Sequence, residues 1–260
     1  MQRALLAFAC IGALLALGAC SSDDDPSRPV VPDDPEALAD FWNFLVADGT
    51  MDTRLDFFQD SNREITTGIG PAEGSTRHVI HLASATADAN LGYRLTNPAS
   101  VPLESSGAFP MVGNRRYRLV VCGVLDESDP NLAPRMVQMD SLAAPTSLAN
   151  VTFRIFHSLA GNPVEVDVYV NDKIITGLGF GEVSAPVTFT ARAASQDALV
   201  IVPAGQVPNG SNEIYGTRDS SLFSPGHRYE ATVLHAPTGT TMGNINGAVE
   251  LSLWSRGPDL

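Results

Sequence analysis

Cysteine, lysine, long apolar runs and helical periodicity are all scarce in this chain of 260 residues, and each scarcity excludes something. The cysteines are Cys10, Cys20 and Cys122. Two of them lie at the front, so Cys122 has no partner for a disulfide within the folded part, and no zinc-type Cys/His spacing exists. An unpaired thiol on a strand reads as buried and inert. Lys173 is the single lysine among 16 basic residues set against 29 acids, and the formal net charge of −13 disfavours a nucleic-acid partner. The longest apolar stretch, Ala4 to Leu17, falls short of the roughly 20 residues that span a bilayer. No helix-period run exceeds two turns, and no G-x-S-x-G motif positions a nucleophile.

What the front does carry is a secretory leader. Arg3 supplies a positive end, Ala4–Leu17 an apolar core, and Leu17-Gly18-Ala19-Cys20 a small-residue ending. The LGAC stretch resembles a bacterial lipobox, which implies cleavage after Ala19 and acylation of Cys20. Several acyl chains, at about 0.8 kcal/mol per buried methylene, give a stable membrane anchor. In similar lipoproteins a serine after the cysteine accompanies outer-membrane sorting, so Ser21 points to that membrane. The next residues, SSDDDPSRPVVPDDPE from Ser21 to Glu36, are rich in Pro and Asp and read as an extended acidic tether.

Beyond the tether the chain is a repeat. Phe153–Ser184 has a looser copy at Phe41–Ser75: FWNFLVADGT lies over FRIFHSLAGN, and EITTGIGPAEGS over KIITGLGFGEVS. This alignment sets Leu45 against His157, Gly68 against Gly177 and Glu73 against Glu182, while Tyr117 in RRYRLVV meets Tyr229 in HRYEATV. A period above 100 residues marks two whole domains rather than a solenoid, whose units run about 20–50 residues. The expected organisation is a signal peptide over 1–19, a lipidated Cys20 and tether over 20–36, a first domain over 37–145 and a second over 146–260.

Strand periodicity is clearest in the second domain, where Val164, Val166, Val168 and Val170 alternate with Glu165, Asp167 and Tyr169. Asn171-Asp172 turns the chain, and about seven strands follow the same habit between Gly, Pro and Asn signals. The first domain shows strands at Phe41–Val46, Leu55–Gln59, Thr76–Leu82, Leu91–Thr96, Tyr117–Val124 and Arg135–Met139. The expected fold is all-β: two tandem antiparallel sandwiches of immunoglobulin-like kind, without the Cys-Trp-Cys pattern. RIFHSLAGNPVEVDVYVND followed by GFGEVS resembles the bacterial secreted-domain family called domain of unknown function 4397, over most of Val151–Leu253. The strand ending in His157, the Val166–Val170 strand and the Phe180-Gly181 turn carry the resemblance. It departs where that family continues His-Ala-Ser-Pro. The resemblance implies a β-sandwich, often in tandem on exported proteins, and no activity.

Several residue groups invite chemistry. His157, Asp167 and Tyr169 come together if the first two strands of the second domain pair, either as a hydrogen-bonded corner or as an acid–base pair. Arg116 and Arg118 share a strand face and fit either contact with an anion or protection of a sheet edge. Asp126, Glu127, Asp129 and Asn131 offer hard oxygens for calcium, although the loop also reads as a plain acidic turn. His78 and His81 point to opposite faces of a strand, and His227 and His235 stand more than about 20 Å apart, so neither pair chelates. Gly177, Gly179 and Gly181 read as turn glycines, since no helix follows them as a dinucleotide fingerprint requires. No cofactor is implied. The function expected is a non-catalytic, lipid-anchored envelope module that presents sandwich loops to a protein or glycan partner. The alternative is an envelope hydrolase or metal-dependent enzyme centred on the second domain.

Overall fold

The computed structural model describes residues 35–46, 53–60, 63–97, 104–125, 129–160, 165–193, 196–235 and 249–256. The leader, Cys20, the tether up to Asp34, Asp126, Glu127 and Val164 lie outside them, and Glu36, which sequence placed at the end of the tether, opens the first strand. Among the described residues every regular element is a strand, and the described residues belong to one compact unit, Asp34–Leu260.

Among the described residues eight strands precede the short link at Ala143–Thr146: β1 Glu36–Val46, β2 Leu55–Gln59, β3 Arg63–Ile69, β4 Glu73–His81, β5 Thr86–Leu95, β6 Glu104–Val112, β7 Arg116–Val124 and β8 Arg135–Asp140. Eight follow it: β9 Asn150–His157, β10 Glu165–Val170, β11 Lys173–Gly179, β12 Val187–Thr190, β13 Asp197–Pro203, β14 Tyr215–Ser220, β15 Arg228–His235 and β16 Val249–Arg256. The first set forms sheets ordered β4-β1-β7-β8 and β3-β2-β5-β6. The second forms β12-β9-β15-β16 and β11-β10-β13-β14, the same order strand for strand. The repeat seen in sequence is therefore a repeat of topology.

Two features of the expected sandwich are revised. An immunoglobulin constant domain places its first two strands in one sheet, whereas here β1 and β2, like β9 and β10, belong to different sheets. The sheets are also not wholly antiparallel, because β1 runs parallel to β7 and β9 parallel to β15. Parallel strands covered on both faces read as near-continuous apolar runs. That is the pattern of β7, RYRLVVCGV, and of β9, NVTFRIFH, where all residues after Asn150 are buried.

The alternation along these strands feeds two layers. Phe41, Leu45, Leu119 and Val121 face β2 and β5, where they meet Leu55, Phe57, Leu91 and Tyr93 in the first core. Phe153, Ile155, Tyr229 and Val233 meet Val166, Val168, Val170, Leu199 and Ile201 in the second. Each such side chain contributes about 1.5–3 kcal/mol by leaving water. Part of the opposite face of each parallel pair is covered as well. Phe44, Val120, Cys122 and Met139 of the first copy pack with Phe156, Phe180 and Leu234 of the second, so the copies are joined by a third apolar layer.

Candidate functional site

The strand registers correct the residue equivalence between the copies. Tyr117 and Tyr229 play one part: each hydroxyl accepts the backbone N–H five residues upstream, of Val112 and of Ser224, at 2.7 Å. Tyr117 pairs with Ala39 and Tyr229 with Phe153. His157 therefore corresponds to Asn43, two positions before the Leu45 to which sequence alignment assigned it. Their bonds agree: Leu45 N donates to Asn43 Oδ1 at 3.0 Å, and Leu159 N to His157 Nδ1 at 3.2 Å. A two-residue slip on a strand keeps the same face, which is why the apolar pattern did not expose it.

His157, Asp167 and Tyr169 are not one corner. His157 is fully buried at the end of β9 with its ring edge-on to Phe180 at 6.2 Å, while Asp167 and Tyr169 sit on β10 in the other sheet. Asp167 accepts backbone N–H groups of Gly177 at 2.8 Å and Gly205 at 2.7 Å, and the Tyr169 hydroxyl donates to Gln206 O at 3.0 Å. The acid–base starting point fails because the two strands do not pair.

Asp167 instead belongs to a device used three times among the described residues. Opposite it, two residues, Thr176 and Gly177, face one, which is a β-bulge. In the first copy Thr67 and Gly68 bulge opposite Asp56, and Gly68 N donates to Asp56 Oδ1 at 3.0 Å. Gly68 and Gly177 have φ of 67° and 62°, so these are bulge glycines inside strands rather than turn glycines. The third case lies on β4, where Thr76 and Arg77 bulge opposite Asp40 and Arg77 N donates to Asp40 Oδ1 at 2.9 Å. Here φ is 64° on an arginine, a left-handed conformation that costs a residue with a Cβ about 1–2 kcal/mol.

Asp40 lies at the meeting of the two copies, where Arg116, Arg118 and Arg154 pair with carboxylates. Asp40 is 2 % exposed and receives both arms of Arg116 at 2.7–3.1 Å. Arg118 donates to Glu230 of the second copy at 2.6 Å, and Arg154 bonds the other Glu230 oxygen and the Asp140 carbonyl. Arg228 donates to Leu142 O at 3.1 Å. Arg135 donates to Phe180 O at 2.5 Å and stacks over the Phe180 ring at 5.2 Å, seating the Phe180-Gly181 turn on the first copy. Burial lowers the pKa of Arg118, with the Glu230 carboxylate opposing the shift. Burial pushes the Cys122 thiol up to about 12, with nearby Arg135 opposing.

Edge protection does not explain Arg116 and Arg118, since β7 is an interior strand between β1 and β8. They line a cleft of about 400 Å³ between the copies, together with Arg77 and Arg228. Asp40, Asp140 and Glu230 contribute its negative charge, and the half-buried Trp42 flanks Arg118 at 5.8 Å from ring to guanidinium. Of these, Asp40, Trp42, Arg77, Asp140, Arg228 and Glu230 were not singled out by sequence. Asp40 had a signal, a single charge within the apolar ALADFWNFLV; the bulge under Arg77 had none.

Of the oxygen cluster, Asp129 and Asn131 are described, and they close a local turn: Asp129 Oδ1 accepts the backbone and side-chain N–H groups of Asn131, both at 2.9 Å. Among the described residues no three His, Cys, Asp or Glu side chains converge as a metal site would require. No protein-family model and no curated protein sequence matches this chain.

Proposed function

We propose that the protein is a non-catalytic binding module of the bacterial cell envelope, anchored through acyl chains on Cys20, in the outer membrane, and carrying two fused β-sandwiches that meet a protein or glycan partner. The resemblance of Val151–Leu253 to domain of unknown function 4397 belongs to the same proposal. The observation that carries it is the third apolar layer, in which Phe44, Cys122, Phe156 and Leu234 are as buried as the two cores. Two copies joined in this way hold a composite surface in fixed shape, so little ordering entropy remains to be lost on binding. The polar residues that sequence singled out for chemistry are occupied in shaping backbone, as Asp167 does at Gly177 and Gly205.

Thermal melts of the full chain in detergent, against neutral and acidic glycans and envelope proteins, test this reading, because a ligand of the native state raises the midpoint. A saturable rise with one class is expected. Turnover of an envelope substrate that disappears in His157→Ala, in a variant that still folds, would replace it with the hydrolase alternative. Cys20→Ala is expected to abolish fatty-acid labelling and release the protein from membranes.

A further inference from the structure

We propose that the cleft between the copies binds an oxyanion, a carboxylate or a phosphate, carried on a sugar-sized ligand, and that Arg77 is the residue that meets it. This rests on the reading of the protein as a binding module and names its ligand class.

Three observations converge on Arg77. The first is the bulge. The same two-against-one bulge with an aspartate acceptor occurs opposite Asp56, Asp167 and Asp40, and the left-handed residue is glycine in the first two. Only in the third, at the cleft, does a side chain occupy that strained position, and bulges of this kind re-aim side chains at sites. Holding the fold needs only the backbone N–H at this point, which glycine supplies as well. The guanidinium therefore has another use.

The second observation is what the side chain meets. Arg77 is exposed, and among the described residues its guanidinium has no acceptor, whereas Arg116 is held by both oxygens of Asp40. The third is the local charge. The cleft gathers four arginines against three carboxylates, and Arg154 behind it shares Glu230 with Arg118, within a chain of net charge −13. A positive spot on an acidic protein concentrates anions against the overall field. Arginine meets carboxylate and phosphate with paired donors, and Trp42, half-buried on the cleft wall beside Arg118, adds an apolar border. The volume, about 400 Å³, falls at the small-ligand end of protein pockets.

The test uses the full chain in detergent, titrated with glucuronate, inorganic phosphate and glucose by calorimetry and by thermal melt. Wild type is expected to bind glucuronate or phosphate saturably, less tightly as salt is raised, and to ignore glucose. Which anion binds decides between carboxylate and phosphate. Arg77→Gly should melt at a higher temperature without ligand, because the strain is relieved, yet bind the anion at least about tenfold more weakly. Arg77→Lys should recover part of the affinity. If neither anion binds wild type, or if Arg77→Gly binds as well as wild type, the proposal is wrong. A melt raised by a neutral glycan or a protein, with no response to either anion, would leave the binding-module reading standing and remove this site alone.

Discussion

The two copies share strand order, bulges and tyrosine anchors, but at the surface where they meet their charges are exchanged. Asp40 and Arg118 are cross-strand neighbours in the first copy, and Arg154 and Glu230 hold the same two positions in the second. The acid sits on the first strand in one copy and on the seventh in the other. Two identical faces of this kind would bring like charges together. The exchanged pair instead bridges the copies, Arg118 to Glu230 at 2.6 Å, while Arg116 and Arg228, alike in both, bind Asp40 and the Leu142 carbonyl. A duplicated fold thus gains a self-complementary junction through changes at a few outward positions, leaving its cores intact.

The comparison can be broken most directly at Glu230. Its carboxylate serves Arg118 and Arg154, whose side chains are 13 % and 10 % exposed, so Glu230→Gln removes the charge that both guanidinium groups face and turns one of its two acceptor oxygens into a donor. A loss of about 3–5 kcal/mol is expected in urea unfolding. A double-mutant cycle with Arg118→Met and Glu230→Met should show a coupling of about 0.5–3 kcal/mol, and strictly additive losses would remove the bridging account.

Cys122 and Leu234 hold equivalent places in the junction layer, one a thiol and one a hydrocarbon. Burial both shields the folded Cys122 thiol and pushes its pKa up to about 12, so it should react with a disulfide reagent at pH 8 at least about tenfold slower than the unfolded chain. Fast labelling of the native protein would show the layer to be open.

The bulges sharpen the likeness of the copies. Asp56 accepts Gly68 N–H and the Thr96 hydroxyl, and Asp167 accepts two backbone N–H groups. Asp56→Ala and Asp167→Ala should each lose about 1–3 kcal/mol, matched between copies, as measured by denaturant midpoints. A loss confined to one copy would mean that the shared geometry hides different energetics.

The smallest effect belongs to His78, which stands where the second copy has Val187. Burial lowers its pKa below 6.5, with nearby Asp40 opposing, so the folded state takes up a proton less readily than the unfolded one. Its contribution is fully present above pH 6.5 and is lost as pH falls from there through the lowered folded value. Melting temperature should decline slightly over that window in wild type, and His78→Val should flatten the decline.

Much of the fold was legible because strand burial has a period of two. Val166, Val168 and Val170 are all fully buried as the alternation required, and the recurrence of Thr-Gly, Glu and Tyr at matched spacing announced the duplication. The strands that went unread, β3, β6 and β14, are sheet edges. ESSGAFPMV and YGTRDS carry Gly, Pro and polar residues because an edge strand packs on one neighbour and needs little apolar surface.

The all-β architecture, the tandem duplication and the apolar positions follow from residue type and local period alone. Pairing partners, and with them the site, were decided only in three dimensions. Whether β9 lies beside β10 or β15 is a choice between contacts distant along the chain, and that choice separated His157 from Asp167 and brought Arg118 to Glu230. Likewise nothing in Ser-Thr-Arg-His marks a left-handed arginine. The bulge arises because Asp40 on the neighbouring strand captures the Arg77 N–H, and a backbone conformation imposed from across a sheet leaves no trace in local composition.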